Sequence, residues 1–109
     1  MAYRRAARKD EVPAGTIREF QVDGQTLAIS NVEGKFYAID NTCLHRGGPL
    51  GQGELKGKIV TCPWHSWQYD VTTGKVVSGP KIPLMHPKIK DEPMYAVKVE
   101  GKDILLESP

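Results

Sequence analysis

Two short segments, each holding one cysteine and one histidine, constrain this chain more than any other part of its sequence. The first reads CLHRGG over residues 43–48, and the second reads CPWHSW over residues 62–67. Together they contain both cysteines of the chain and two of its three histidines. A thiolate and an imidazole this close together indicate a metal site. The four candidate ligands are Cys43, His45, Cys62 and His65.

The order of these ligands favours a pair of metal ions over a single ion. A common zinc finger takes its cysteines from one pair and its histidines from another, so that one ion collects all four. Here C-x-H and C-x-x-H each mix the two ligand types, which suits two irons side by side, with both thiolates on one and both imidazoles on the other. That is the ligand set of a Rieske 2Fe-2S centre. The alternatives are a mononuclear zinc site and two buried thiols beside incidental histidines.

The run CLHRGGPLGQGELKGKIVTCPWHSWQYD over residues 43–70 resembles the Rieske ferredoxin family in its spacing, its glycines and its flanking proline. The resemblance extends over about residues 36–80. It implies one Rieske-type 2Fe-2S cluster, bound by Cys43 and Cys62 on the inner iron and by His45 and His65 on the outer iron near the surface. The exposed edges of the two imidazoles would then be the port for electrons.

Other positions of the resemblance carry expectations about the site. Respiratory members have an extra cysteine pair that bridges the two segments, but this chain has Gly48 and Trp64 at those positions. The cluster itself must therefore tie the segments together. We expect Trp64 and Trp67 to shield the cluster from water, and the alternative is a surface docking role for one of them. The stretch SGPKIP over residues 78–83 resembles the proline-containing segment that covers the cluster from a third side.

Two residues that follow the second ligand cysteine indicate where the reduction potential of the cluster should lie. High-potential members place a serine hydroxyl five residues after that cysteine and a tyrosine hydroxyl seven after it, and this chain has Trp67 and Tyr69 there. Hydrogen bonds to the cluster sulfurs stabilise the reduced, more negative state. We therefore expect a low-to-middle potential within the family range of about −150 to +300 mV. A plain core aromatic at Tyr69 is an equal alternative.

The rest of the chain reads as short strands separated by glycine turns, without a helical stripe of useful length. Alternating apolar residues predict strands on both sides of Asp23-Gly24, after Glu33-Gly34, and on both sides of Gly101. The segments IVTC and QYDVTTGK predict two more. This pattern indicates one all-β domain over residues 1–109. Its antiparallel sandwich or barrel base is predicted at 1–40 and 81–109, with an inserted cluster-binding portion at 41–80.

Composition and charge exclude several classes of protein. The 39% apolar and 26% charged residues suit a globular domain, and no apolar run approaches the roughly 18 residues of a membrane span. The net charge of +2 comes from interleaved acidic and basic residues, which argues against nucleic-acid binding. The pair Arg4-Arg5 is not followed by the apolar core of an export signal, so a cytoplasmic location is expected.

Beyond the four ligands, the sequence offers no groups for substrate chemistry. Only His86 remains after the cluster has taken two histidines, so the chain cannot supply the two histidines and carboxylate of a mononuclear oxygenase iron. It also lacks a glycine-rich dinucleotide fingerprint. We therefore expect an electron-transfer protein and not an enzyme. It would pass electrons from a flavin-dependent NAD(P)H reductase to a terminal oxygenase or similar acceptor.

Two other functions fit the same residues. One is a small Rieske subunit held permanently in a larger oxidoreductase, such as a nitrite reductase. The other is a redox sensor or interaction module whose cluster serves only to staple the fold.

Overall fold

The structure is a computed structural model that describes residues 3–22, 24–41, 49–63, 67–78 and 94–107. These residues form eleven β-strands and two short 3-10 helices, and no α-helix occurs among them. The predicted all-β class is thus confirmed. The strands are β1 (Tyr3–Arg8), β2 (Ile17–Val22), β3 (Gln25–Val32), β4 (Lys35–Asp40), β5 (Glu54–Lys56), β6 (Ile59–Thr61), β7 (Gln68–Asp70), β8 (Val76–Ser78), β9 (Met94–Tyr95), β10 (Val97–Glu100) and β11 (Asp103–Glu107), and the 3-10 helices are Lys9–Glu11 and Leu50–Gln52.

The strands are arranged in three antiparallel sheets. A base sheet has the order β1-β11-β10, and a central sheet has the order β2-β3-β4-β9. A third sheet, here called the loop-side sheet, has the order β5-β6-β7-β8. Its second and third strands, β6 and β7, flank the second cysteine-histidine segment. The second cysteine-histidine segment therefore connects two neighbouring strands of this small sheet.

The predicted hairpins of the central and base sheets are confirmed. Strands β2 and β3 pair from Ile17 opposite Ser30 to Val22 opposite Gln25. Strands β3 and β4 meet at a turn in which Glu33 and Gly34 both have positive φ, 53° and 91°. Two successive positive φ values are what a tight two-residue hairpin with right-handed strand twist requires. The Gly34 at the second position meets that requirement without steric cost.

Strand β1 was not predicted from the sequence. It reads YRRAAR, and only Ala7 among its side chains is fully buried. The strand forms because its backbone pairs with β11, from Tyr3 opposite Glu107 to Arg8 opposite Asp103. Such pairing with a segment about a hundred residues away leaves no local apolar alternation to detect.

The central sheet separates two hydrophobic cores. Successive side chains of a strand point to opposite faces, so β3 supplies Ala28 to one core and Leu27 and Ile29 to the other. The base core lies between the central and base sheets, and its buried residues are Ala7, Val12, Val22, Leu27, Ile29, Ala38, Ile104 and Leu106. The loop-side core lies between the central and loop-side sheets, and its buried residues are Ile17, Ala28, Ile39, Leu50, Val60, Cys62, Trp67, Tyr69 and Val71.

Each of the three sheets is formed within one of the two predicted portions of the chain. Strands β5 to β8 fall within the predicted cluster-binding portion at 41–80, and all other strands fall within the predicted base. The bounds of the two portions stay a prediction. The covering segment at 79–83 and His86 lie outside the described residues. Within the described part of the chain, no helix has the length and apolar character needed to cross a membrane.

Candidate metal centre

Cys62 is the predicted ligand that falls within the described residues. It follows the last residue of β6, is 2% exposed, and belongs to the loop-side core. Its backbone N–H donates a hydrogen bond of 2.7 Å to the carbonyl of Trp67. This bond joins the two ends of the second cysteine-histidine segment. Cys62 therefore lies at the end of a strand, in a hydrophobic environment, at the point where a backbone hydrogen bond joins the two ends of its segment.

The first cysteine-histidine segment is joined at its ends in the same way. The backbone N–H of Leu50 donates a hydrogen bond of 2.7 Å to the carbonyl of Asn41. Leu50 is fully buried in the loop-side core, the same core that contains Cys62. Residues at the ends of both segments thus pack in one hydrophobic core. The two segments therefore begin and end on the same side of the central sheet.

The other three predicted ligands, Cys43, His45 and His65, lie outside the described residues, as do Gly48 and Trp64. Their roles stay predictions. Among the residues that the structure does describe, no group of three or more histidine, cysteine, aspartate or glutamate side chains is placed to hold a metal ion. The predicted site would need ligands from beyond that part of the chain.

The described residues fit a Rieske cluster. A soft thiolate donor suits iron bound to sulfide, and Cys62 presents one from a buried position. Trp67 and Tyr69 belong to the same core and surround that position with aromatic side chains, 8% and 0% exposed. A hydrophobic shell of this kind limits the access of water to a metal centre. The shielding role expected of Trp67 is consistent with its burial.

Tyr69 lies on β7, where its backbone is opposite Val60 on β6. Its complete burial beside the Cys62 strand fits both interpretations of this residue, a donor to sulfur and a core aromatic. The structure therefore keeps both open. A measurement of the reduction potential in a variant without the Tyr69 hydroxyl distinguishes the two interpretations.

A polar network that the sequence did not reveal supports the first segment. Asn41 is 6% exposed, and its Nδ2 donates to Oε2 of Glu19 at 2.5 Å. The Oδ1 atom of Asn41 accepts a hydrogen bond of 2.7 Å from the backbone N–H of Gly51. Nε2 of Gln52 donates to the other oxygen of Glu19, Oε1, at 2.8 Å. Glu19 and Asn41 are 22 positions apart, so no local pattern in the sequence connects them.

Two glycines allow the chain to pass closely through this region. A Cβ atom built on Gly51 would lie 2.7 Å from Oδ1 of Asn41 and 2.9 Å from the backbone nitrogen of Glu19. A Cβ atom on Gly53 would overlap the carbonyl of Thr61, the residue before Cys62. A real Cβ atom essentially never approaches another atom so closely. Both glycines therefore permit close backbone packing beside the ends of the two segments.

The turn after β7 is fixed by Asp70, whose side chain is 13% exposed. Its Oδ1 accepts hydrogen bonds from the backbone N–H of Thr72 at 2.8 Å and from the Thr72 hydroxyl at 2.6 Å. The ammonium group of Lys58 lies 3.4 Å from Oδ2. Burial alone raises the pKa of Asp70, but these hydrogen bonds and the lysine outweigh it and hold the pKa below its ordinary value.

Comparison with known proteins connects this site to one family. The sequence model described as Rieske [2Fe-2S] domain matches residues 3–87. The chain is 36% identical over 102 residues to the ferredoxin component of the naphthalene 1,2-dioxygenase/salicylate 5-hydroxylase systems of Ralstonia sp. That match covers 94% of this chain and 91% of the relative.

Two solved structures of ferredoxins from carbazole 1,9a-dioxygenase share the fold. The ferredoxin from Nocardioides aromaticivorans IC177 has a TM-score of 0.83 and 29% identity, with 97% of each chain covered. A chain in a complex of reduced oxygenase and oxidized ferredoxin has a TM-score of 0.80 and 27% identity, with 95% of this chain and 91% of that chain covered.

The terminal oxygenase from Nocardioides aromaticivorans IC177 also resembles this chain, but over a smaller part of its length. The TM-score is 0.80 at 27% identity, and the match covers 98% of this chain but only 31% of the oxygenase chain. Relatives of matching length are thus ferredoxins, and the oxygenase contains the same fold as one part of a longer chain.

Proposed function

This chain belongs to the Rieske [2Fe-2S] domain family, and on that premise we propose that it delivers single electrons to a terminal oxygenase. It is an electron-transfer protein with one Rieske 2Fe-2S cluster, a component of an oxygenase system and not the catalytic enzyme. When bound, the cluster supplies a one-electron couple. The chain's own residues hold the cluster and keep water from it. The imidazole edges of His45 and His65 are proposed as the point of contact with partners.

Four residues are proposed to hold the cluster. Cys62 supplies a buried thiolate from the end of β6. Cys43 supplies the second thiolate to the same iron, and His45 and His65 bind the other iron through their imidazoles. The support for this assignment is the position of Cys62 together with the two backbone hydrogen bonds that close both segments over one core.

The observation that carries the carrier function is the match in length. The chain and the ferredoxins cover one another almost fully, whereas the match covers only 31% of the oxygenase chain. This favours a separate carrier over the permanent subunit of a larger oxidoreductase.

The partners are proposed on chemical grounds. The related complex contains an oxygenase and its ferredoxin, which supports an oxygenase as the acceptor. The donor is proposed to be a flavin-dependent NAD(P)H reductase, because a flavin can accept a hydride and release its two electrons one at a time. The contact with each partner is expected to be small and transient, as is usual for redox encounters.

The cluster assignment is tested by electron paramagnetic resonance of the dithionite-reduced protein. Mixed nitrogen and sulfur ligation lowers the mean g value below that of a cluster held by four cysteines. We expect the lower value. A colourless protein that contains a single zinc ion would overturn the assignment.

The carrier function is tested by stopped-flow mixing of the reduced protein with an oxidised terminal oxygenase of a dioxygenase system. We expect reoxidation at rates that match turnover, and elution of the free protein as a small species in gel filtration. A chain that is stable only within a large complex would support the subunit function. A chain that no oxygenase reoxidises quickly would support the sensor function.

A further inference from the structure

Four residues beside the first segment form a compact polar network, here called the Glu19 clamp: Glu19, Asn41, Gly51 and Gln52. Each oxygen of the Glu19 carboxylate accepts one side-chain amide, from Asn41 at 2.5 Å and from Gln52 at 2.8 Å. Gly51 closes the network by donating its N–H to Asn41 at 2.7 Å. The first segment, residues 43–48, lies between Asn41 and the 3-10 helix Leu50–Gln52, so the clamp holds residues before and after it.

The clamp faces the cluster side of the central sheet. Glu19 lies opposite Ala28 in the β2–β3 ladder, and Ala28 points into the loop-side core. Directly opposite residues of an antiparallel pair project from the same face of a sheet. Glu19 is therefore a charged residue on the face that also supports Leu50 and Cys62. The alternate residues Phe20 and Val22 pack against the base core.

Asn41 is immobilised by all of its polar atoms. Its side chain bonds to Glu19 and Gly51, its backbone N–H donates to the carbonyl of Thr26 at 3.3 Å, and its own carbonyl accepts from Leu50 at 2.7 Å. Cys43 follows only two residues later. Two residues of chain span at most about 7 Å between Cα atoms, so the fixed position of Asn41 restricts where the first thiolate can lie.

A carboxylate is the one side chain that suits the centre of this clamp. Asn41 and Gln52 both approach with amide N–H donors, and an ionised carboxylate accepts at both of its oxygens. A glutamine at this position would offer one acceptor and one donor, so one of the two amides would face another N–H group. Glu19→Gln therefore removes one hydrogen bond and the negative charge while it preserves the shape of the side chain.

We propose that Glu19 is a positioning residue for the cluster, which fixes the first ligand segment at both ends and lowers the reduction potential by its charge. This inference rests on the proposed function. A fixed negative charge near the site opposes the addition of an electron to the cluster. The carboxylate thus has two separable effects, one on retention of the cluster and one on the midpoint potential.

The test compares Glu19→Gln with two matched controls in the holoprotein. Asn31→Ala removes a side chain that is also 6% exposed and also makes two hydrogen bonds, from Nδ2 to the carbonyl of Val12 and from the N–H of Gly34 to Oδ1, both at 2.8 Å. Asn31 lies three residues along β3 from Ala28, the partner of Glu19, and its side chain projects from the opposite face of the central sheet. Glu100→Gln makes the same charge change on the base sheet, where Glu100 pairs with Lys98 at 2.9 Å.

Three quantities are measured for each variant: the rate at which visible absorbance bleaches in excess chelator, the midpoint potential by protein-film voltammetry, and the unfolding temperature. We expect Glu19→Gln to lose the cluster at least about tenfold faster than the unaltered protein, the scale of one lost hydrogen bond to a charged group. We also expect its midpoint to rise above that of Glu100→Gln. Asn31→Ala should lower the unfolding temperature without a matching acceleration of cluster loss.

Either of two results overturns the inference. One is a rate of cluster loss in Glu19→Gln no faster than in Asn31→Ala, and the other is a midpoint equal to that of Glu100→Gln. If Glu19→Gln does not accumulate with its cluster, Gln52→Ala tests the same contact, since it removes one donor and keeps the charge. Because the bond from Gln52 to Glu19 is exposed, this variant should bleach only about twofold faster, with an unchanged midpoint. Absence of a Rieske signal from the unaltered protein would instead refute the proposed function, so the two failures are distinguishable.

Discussion

The backbone N–H of Cys62 donates to the carbonyl of Trp67 at 2.7 Å, and this bond closes the second cysteine-histidine segment at its foot. Both residues belong to the loop-side core, so the closed foot is packed in hydrophobic surroundings. The backbone at Cys62 is therefore fixed by this bond and by the packing of the core, which limits the conformational freedom of the proposed ligand.

Replacement of Cys62 by alanine is predicted to abolish the cluster. The variant removes a proposed iron ligand, and only a small volume is lost from the core, because alanine differs from cysteine by one sulfur atom. The expected result is loss of the visible absorbance and of the paramagnetic signal of the reduced protein. Val60→Ala is the matched control, since Val60 is fully buried on β6, two residues before Cys62. It should cost about 1–3 kcal/mol of unfolding free energy but retain the cluster. A coloured Cys62→Ala protein with a Rieske spectrum would refute the assignment.

Replacement of Gly53 by alanine is predicted to disturb the second segment through its neighbour Thr61. The added Cβ would overlap the Thr61 carbonyl, so the start of β5 must move away from β6. Overpacking of this kind costs about 1–3 kcal/mol. Thermal unfolding of the holoprotein should show the loss, with a reduced cluster content per chain. Gly57→Asn is the control: Gly57 has a φ of 59° and open space around it, and asparagine tolerates that conformation. Equal unfolding temperatures in the two variants would contradict this account.

Acid is predicted to remove a stabilising contribution of Asp70. Its pKa in the folded protein lies below the ordinary value of 3.8, because the contacts with Thr72 and Lys58 outweigh the effect of burial. A lowered folded-state pKa contributes stability above the unfolded-state pKa, and that contribution is lost as the pH falls through the folded-state pKa. Denaturant titrations should thus show Asp70→Asn to be less stable than the unaltered protein by about 1 kcal/mol near pH 7. The difference should shrink below about pH 4. A difference that stays constant down to pH 3 would exclude this linkage.

Much of the fold could be predicted from the sequence, because its hairpins carry local signals. The apolar alternation around residues 20–29 and the adjacent positive-φ turn at Glu33-Gly34 identify three strands of the central sheet. Strands β1, β5 and β8 lack such signals. Two of them are three residues long, and β1 is mostly polar, so their pairing is decided by distant partners and not by their own residues.

The candidate site could be predicted only in its ligands. The four proposed ligands can be recognised by their residue types and spacing. The residues that hydrogen-bond around them cannot be recognised in this way. Glu19 reads as one polar residue in an alternating strand, and Asn41 reads as an ordinary residue before a loop. Their hydrogen bond depends on the packing of the 3-10 helix Leu50–Gln52 against β2, which is a property of the folded chain. Long-range polar contacts of this kind leave no trace in local sequence patterns.

Removal of the Tyr69 hydroxyl is predicted to lower the reduction potential. Tyr69 is fully buried and shares the loop-side core with Cys62, seven positions before it. If its hydroxyl donates to a cluster sulfur, it stabilises the reduced state, and a hydrogen bond worth about 1 kcal/mol corresponds to a fall of about 40 mV for one electron in Tyr69→Phe. Tyr95→Phe on β9 is the control, because Tyr95 packs against the base core on the other face of the central sheet. Protein-film voltammetry on the two variants decides the question. An unchanged midpoint in Tyr69→Phe would make Tyr69 a core aromatic, and the low-to-middle potential would then need another cause.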